Sequence, residues 1–179
     1  MAELWGSLKY VVVFLGTMWA VHIVGQVFPL QSFGIRPRSL EGLLGILFSP
    51  LLHGSWQHLL ANSTGVLVLG GLLFTTERKF VGFVVAGCWV FSGLGVWLVG
   101  SSRSVHIGAS GLIYGLIGYF IAYGFYSKKA IPLLISLATL VIYGGAVWGV
   151  LPKGDRISWE AHLSGFLGGI AVAAARSKL

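Results

Sequence analysis

The sequence has few charged residues and a single cysteine. Only 9% of its 179 residues are charged and only five are acidic, whereas about a quarter of the residues in an average soluble domain carry charge. This composition excludes an ordinary soluble globular domain. Cys88 stands alone in the middle of an apolar run, so no disulfide can form within the chain and we expect the thiol to serve packing.

Hydrophobic residues dominate what is present. They make up 56% of the chain, and the mean hydropathy is +0.87. They occur in runs of about twenty residues, the length that a helix needs to cross about 30 Å of hydrocarbon. We therefore expect an all-α integral membrane protein, a bundle of six transmembrane helices in one domain over 1–179, with no separate soluble domain. The predicted spans cover about 8–28, 56–74, 80–99, 107–126, 130–150 and 158–175.

The segment between the first two spans, 29–55, differs in composition from a flexible linker. It holds three prolines, two arginines and the apolar stretch 43–48, which is too short to cross a bilayer. This mixture predicts a structured loop, partly submerged at the membrane interface.

The formal net charge of +7 comes from cations that are scattered at the ends of the apolar runs. A nucleic-acid surface would need them clustered on one face, so we expect no nucleic-acid partner and interpret them as anchors against lipid headgroups. An even number of spans places both termini on one side of the membrane. Cytoplasmic termini fit the positive-inside rule, because seven cations then face the cytoplasm and five face the other side of the cell (inner) membrane: Lys9, Arg78, Lys79, Lys128, Lys129, Arg176 and Lys178 against Arg36, Arg38, Arg103, Lys153 and Arg156.

Polar residues begin three of the predicted spans. His58 and Asn62 lie one turn apart at the start of the second span, Ser110 begins the fourth, and His162 begins the sixth. The second, fourth and sixth spans run in the same direction, so these groups lie at the same end of the bundle. Because polar groups inside a bilayer are costly, this cluster predicts a functional site.

The chemistry that uses such a set is acyl transfer. Ser110 is the expected nucleophile, and His162 the general base that takes its proton and later returns it to the leaving amine. The backbone N–H of Ser110 and the side chains of His58 and Asn62 are the expected oxyanion donors. Tyr114, one turn after the serine, is expected to pack against the imidazole.

Glycines give the two helices that carry the pair a reason to approach closely. Gly111 and Gly115 recur on the fourth span, and Gly165 and Gly169 on the sixth, which is the pattern of closely packed membrane helices. Gly108 is expected to let the preceding loop turn sharply onto the fourth helix.

An acidic third member is not expected. Glu160 lies two residues from His162 and points to a different face of the helix, so the sequence predicts a Ser-His dyad whose imidazole works in its neutral form. Activity should then fall as the pH drops through about 6 to 7. His106, just before the nucleophile, is expected to be solvated.

These motifs resemble those of the rhomboid intramembrane proteases. The family's Gly-x-Ser-Gly matches 108–111, its Ala-His-x-x-Gly-x-x-x-Gly matches 161–169, and the His-x-x-x-Asn of its second helix matches 58–62. The three motifs occur in the family's order, and the resemblance covers nearly the whole chain, which looks like a minimal six-transmembrane prokaryotic form.

The resemblance implies cleavage of single-pass membrane proteins in or near the outer part of their transmembrane segment. It assigns Ser110 and His162 as the dyad, His58 and Asn62 to the oxyanion, and Tyr114 to stacking on the histidine. Its implied partners are transmembrane substrates and membrane lipids, its site opens to the extracytoplasmic side, and it implies no metal and no organic cofactor.

Two other functional classes and one departure from the family stay open at this point. A catalytically inactive rhomboid-like protein would bind membrane clients only, although such proteins usually lack Ser110 or His162. A small channel or transporter would be expected to carry internal repeats or midplane helix breaks, and a metal site would need a carboxylate or thiol partner for the histidines. Some family members carry a Trp-Arg pair in the first loop, where this chain reads Gly-Ile-Arg-Pro-Arg-Ser over 34–39.

Overall fold

The regular secondary structure of the chain is helical. A computed structural model describes residues 2–152 and 158–179, and over these residues the β structure is one isolated antiparallel bridge between Ile35 and His106. The α-helices are α1 Ala2–Val24, α2 Leu40–Phe48, α3 Trp56–Gly65, α4 Gly71–Thr76, α5 Val81–Val99, α6 Ser110–Ser127, α7 Ala130–Tyr143 and α8 Trp159–Arg176.

Two stretches of the described helices are long and apolar enough to cross a bilayer. Trp56–Thr76 joins α3 to α4 through a π-helical turn at Val66–Gly70, and Arg78–Val99 contains α5. Shorter apolar helices cover Leu8–Val24, Leu40–Leu51 and Ala130–Ala146. The helical fold class is thus confirmed, and the count of six spans stays a prediction.

Two predicted spans extend beyond the ends of their α-helices. The first helix ends at Val24 rather than near 28, where Gly25 and the approaching Pro29 favour leaving the helix. In the fifth predicted span, α7 ends at Tyr143 and a 3₁₀-helix follows over Gly144–Val150, since two successive glycines are weak formers of an α-helix. Lys153 and Arg156, in the predicted link before the sixth span, lie outside the described residues.

Helices α6 and α8 form the most extensive pair in the bundle. A Cβ atom on Gly165 would overlap the carbonyl oxygen of Gly111, and a Cβ atom on Gly169 would overlap that of Gly115. The predicted close approach of these helices is therefore present, and the glycines make it possible because they leave backbone against backbone.

An ion pair ties the opposite end of α8 to the turn after α4. The Nε–H of Arg176 donates to Oε2 of Glu77 at 2.9 Å, and both side chains are largely buried. The guanidinium also lies 3.6 Å from the centroid of the Phe80 ring, a cation–π contact. Since His162 lies in the first turn of α8 and Arg176 is its last residue, this ion pair holds the end of the helix opposite His162.

The first loop is structured, as predicted, and it is anchored to α5 by side chains other than a Trp-Arg pair. The indole of Trp97 donates to the Ser39 carbonyl at 2.8 Å, and the indole of Trp89 donates to the Ile46 carbonyl at 2.6 Å. Arg38 donates to the Leu98 carbonyl at 2.9 Å. Helix α2 thereby lies fixed beside the end of the bundle that carries Ser110.

Candidate active site

Ser110 is the first residue of α6, and the turn before it depends on glycine. Gly108 has a φ of +114°, a conformation that side chains with a Cβ rarely adopt. Its N–H donates to the Ser49 carbonyl at 2.8 Å, which holds the incoming loop in place. As the first residue of a helix, Ser110 has a backbone N–H without a partner inside the helix.

Ser110 and His162 lie within hydrogen-bond distance of each other. The distance from Ser110 Oγ to His162 Nε2 is 2.8 Å, and the distance from His162 Nδ1 to the Gly149 carbonyl oxygen is also 2.8 Å. A carbonyl oxygen can only accept, so Nδ1 carries the hydrogen and Nε2 presents its lone pair to the serine. The backbone of Gly149 thus occupies the place that an acid would take beside His162.

Tyr114 stacks on the imidazole, as the sequence predicted. The two ring centroids are 4.0 Å apart and the planes are inclined by 6°. The tyrosine hydroxyl donates to the Ala146 carbonyl at 3.0 Å. The 3₁₀-helix Gly144–Val150 therefore supplies acceptors to both rings, and a Cβ atom on Gly149 would overlap the Tyr114 hydroxyl.

His58 and Asn62 lie beside the turn that precedes Ser110. A Cβ atom on Gly108 would lie 2.6 Å from the His58 ring and 3.2 Å from Asn62 Nδ2. Asn62 is 4% exposed, whereas His58 is only partly buried. The structure thus brings the predicted oxyanion side chains to the backbone of 108–110.

Glu160 points away from His162, as expected from its spacing. Its carboxylate accepts from the Ser158 hydroxyl at 3.4 Å, and that hydroxyl lies 2.7 Å from Nδ1 of His106. The expectation that His106 is solvated is wrong, because the first loop covers it and leaves it 7% exposed. Burial lowers the pKa of His106, an effect that nearby Glu160 opposes.

Two contributors to the site were not identified from the sequence. The Gly149 acceptor is a backbone carbonyl, so no residue type announces it. His53 is 1% exposed and its Nε2 lies 2.9 Å from Asn62 Nδ2. A histidine directly after two leucines is the signal that could have identified it.

Comparison with known proteins agrees with the motifs. The sequence model described as Rhomboid domain matches residues 40–179. An uncharacterized protein of Mycobacterium bovis is 36% identical over 173 residues, which cover 91% of this chain and 72% of that protein. RHOMBOID-like protein 5 of Arabidopsis thaliana is 32% identical over 161 residues, 82% of this chain and 50% of the plant protein.

A bacterial relative carries a protease name. The putative rhomboid protease YdcA of Bacillus subtilis is 29% identical over 121 residues, which cover 66% of this chain and 60% of that protein. The family match extends over most of the chain and includes all three motifs. The chain therefore belongs to the rhomboid family, a family of membrane proteins.

Proposed function

We propose that this chain is an intramembrane serine endopeptidase that hydrolyses peptide bonds in or near the transmembrane segments of other membrane proteins. The observation that carries the proposal is the 2.8 Å contact between Ser110 Oγ and His162 Nε2, with Nδ1 of the same ring held by the Gly149 carbonyl. This arrangement presents a basic lone pair to a serine hydroxyl, the requirement for nucleophilic catalysis by serine. The name of the Bacillus subtilis relative agrees with it.

The first half of the reaction cleaves the peptide bond. His162 Nε2 takes the hydroxyl proton as Ser110 Oγ bonds to the scissile carbonyl carbon, which becomes tetrahedral and leaves its oxygen negatively charged. When the carbonyl re-forms, the C–N bond breaks and the imidazolium gives its proton to the leaving amine. The product at this stage is an ester between Ser110 and the acyl part of the substrate.

The negative oxygen needs donors that are already in place. The free backbone N–H of Ser110 and the side chains of His58 and Asn62 are the groups that we propose for this role. They converge on the turn at Gly108. Donors fixed in this way stabilise the transition state without having to reorganise during the reaction.

The second half requires water beside the ester. A cavity of about 20 Å³ lies behind the turn, bordered by Gly108, Ser92, His106 and Ser158 among others. Such a volume holds about one water molecule. His162 then acts as base toward water and returns the proton to Ser110 Oγ as the ester is hydrolysed.

The membrane arrangement that we propose has six spans in a single domain, cytoplasmic termini and a site that opens to the extracytoplasmic side. The distribution of cations supports this orientation. The contact between Ser110 and His162 joins the beginnings of α6 and α8, which supports a parallel direction for these two helices. The Glu77–Arg176 pair joins the turn that follows the second predicted span to the end of α8, which supports the same direction for that span. Substrates then enter from the lipid as transmembrane helices.

The test is covalent labelling of the folded protein in detergent with a fluorophosphonate probe, followed by mapping of the modified residue. We expect the label on Ser110, and we expect Ser110→Ala and His162→Ala to lower the cleavage of a transmembrane substrate by at least about 10³-fold. Ser104→Ala, which removes an exposed serine from the preceding loop, should label and cleave like the wild type.

The opposite outcomes are equally clear. Cleavage that survives Ser110→Ala removes the serine from the mechanism. A folded wild-type protein that binds a transmembrane client, but neither labels nor cleaves, supports the catalytically inactive member of the family instead.

A further inference from the structure

His53 contacts both side chains that we place around the oxyanion. It lies between the 3₁₀-helix Ser49–Leu51 and α3, and it is 1% exposed. Its Nε2 lies 2.9 Å from Asn62 Nδ2, and its ring meets the His58 ring edge to face at 4.9 Å between centroids. No other step of the proposed reaction uses this buried imidazole.

The hydrogen-bond partners of His53 determine its tautomer. Nδ1 lies 3.3 Å from the Leu51 carbonyl oxygen, which can only accept, so Nδ1 carries the ring hydrogen. Nε2 is then a lone pair and needs a donor. The Asn62 amide must therefore turn its NH₂ group, and not its oxygen, toward the ring.

The orientation of that amide decides whether Asn62 offers a hydrogen-bond donor or an acceptor to a substrate. With the NH₂ group beside His53, one N–H donates to Nε2 and the second is free to donate to an oxyanion. With the amide rotated by 180°, its oxygen would face the lone pair of Nε2, and two acceptors would repel each other. The imidazole thus selects the amide rotamer in which the NH₂ group of Asn62, and not its oxygen, faces His53.

We infer that His53 is a positioning residue, which holds the Asn62 amide as a hydrogen-bond donor for the oxyanion by accepting one of its N–H groups. The inference rests on the proposed function, and it deepens the account of the same site.

Helix α1 holds the position of His53 itself. Nδ1 of His22 lies 3.1 Å from the His53 carbonyl oxygen, and the Gln26 amide donates to the His22 carbonyl oxygen at 3.0 Å. His22 is 2% exposed. The backbone at residue 53 is therefore fixed by a buried hydrogen bond of its own, separate from the contact between the His53 ring and Asn62.

The experiment is a double-mutant cycle on cleavage of a transmembrane substrate, with kcat and KM measured separately. His53→Leu should lower kcat about tenfold, the rate equivalent of one hydrogen bond, and should change KM less than twofold. Asn62→Ala should lower kcat by about 10²–10³-fold. The double variant should be no slower than Asn62→Ala alone, and His53→Gln, whose amide oxygen can accept from Asn62, should recover most of the loss.

A stability control separates positioning from folding. Ser136→Ala removes a buried hydroxyl on α7, outside the proposed site. This hydroxyl donates to the Ile121 carbonyl at 2.7 Å. The substitution should lower the thermal midpoint and leave kcat unchanged. Losses in His53→Leu and Asn62→Ala that multiply, or a kcat loss in His53→Leu that Ser136→Ala reproduces, would overturn the inference.

A readout without proteolysis keeps the inference testable if the proposed function fails. The side-chain amide of Asn62, assigned in ¹⁵N-labelled protein by its absence from Asn62→Ala, should give a hydrogen-bonded, slowly rotating NH₂ signal in the wild type and in His53→Gln. His53→Leu should lose that signature. An unchanged amide signal in His53→Leu would overturn the positioning role, whereas an inactive wild type with the expected signal would overturn only the proposed function.

Discussion

Proton transfer between Ser110 and His162 depends on which ring nitrogen carries the hydrogen. In this chain the Gly149 carbonyl makes that choice through a 2.8 Å contact. A carbonyl orients the imidazole as a carboxylate would, but it offers only partial negative charge to the imidazolium that forms. The parallel Tyr114 ring, 4.0 Å away, restrains rotation of the imidazole about its side-chain bonds. The proposed dyad is therefore oriented by two neutral groups.

Burial of His53 makes the stability of this protein depend on pH. Burial, reinforced by the neighbouring His58, lowers the pKa of His53 from 6.5 to about 4. The unfolded chain takes up a proton at His53 near pH 6.5 and the folded chain does not, so the stabilising effect is complete above that pH and is lost as the pH falls toward 4.

We expect this group to account for about 3 kcal/mol of lost stability between pH 7.5 and 4. Unfolding midpoints of the wild type and of His53→Gln, measured in detergent across this range, check the value. The variant should lose less stability on acidification, because it has no ring to protonate. Parallel curves for the two proteins would exclude His53 as the source.

At the level of elements, the site depends on how closely α8 approaches α6. Gly165 and Gly169 face the carbonyl oxygens of Gly111 and Gly115, so the two backbones are in direct contact along the half of the pair that carries the dyad. The 3₁₀-helix Gly144–Val150 then provides carbonyl acceptors to the Tyr114 ring on α6 and the His162 ring on α8.

Gly169→Ala should therefore separate the two helices and weaken catalysis from two turns below His162. We expect the free energy of unfolding to fall by about 1–3 kcal/mol, because the new methyl group overlaps a backbone oxygen that cannot move alone. Gly82→Ala is the matched control, since no heavy atom lies within 4 Å of its added Cβ atom. Thermal unfolding and cleavage assays check both variants, and equal midpoints for the two would contradict the close packing.

At the scale of the whole molecule, the proposed site and a buried ion pair lie at opposite ends of α8. Ser110, His162 and Asn62 lie at one end, and the buried Glu77–Arg176 pair lies at the other. Under the proposed function, the orientation of the bundle in the membrane decides on which side a substrate is cut.

The proposed topology predicts which loops reagents reach from outside the cell. In a Cys88→Ala background, a membrane-impermeant maleimide should label Ser102→Cys on intact cells, because this exposed residue lies in the loop before Ser110. Lys129→Cys, exposed in the turn between α6 and α7, should label only after the membrane is permeabilised. The reverse pattern would contradict cytoplasmic termini.

Sequence patterns were sufficient to select the side chains that we propose for the site. Ser110, His162, Asn62 and Tyr114 are polar or aromatic groups at fixed spacings in apolar runs, and their clustering follows from the parallel direction of their helices. The glycines that bring α6 and α8 together were visible for the same reason, since the spacing of four repeats the helical period.

Tertiary structure decided the contacts that no side-chain pattern encodes. The Gly149 acceptor beside His162 is a backbone atom, common to all residue types, and it reaches the ring only because α7 gives way to a 3₁₀-helix at Gly144. The bond between His53 and Asn62 joins a loop to a helix, and its geometry depends on the anchored first loop. The sequence by itself determined which side chains we propose for the dyad and the oxyanion, and only the packing of distant segments decided how those groups are oriented.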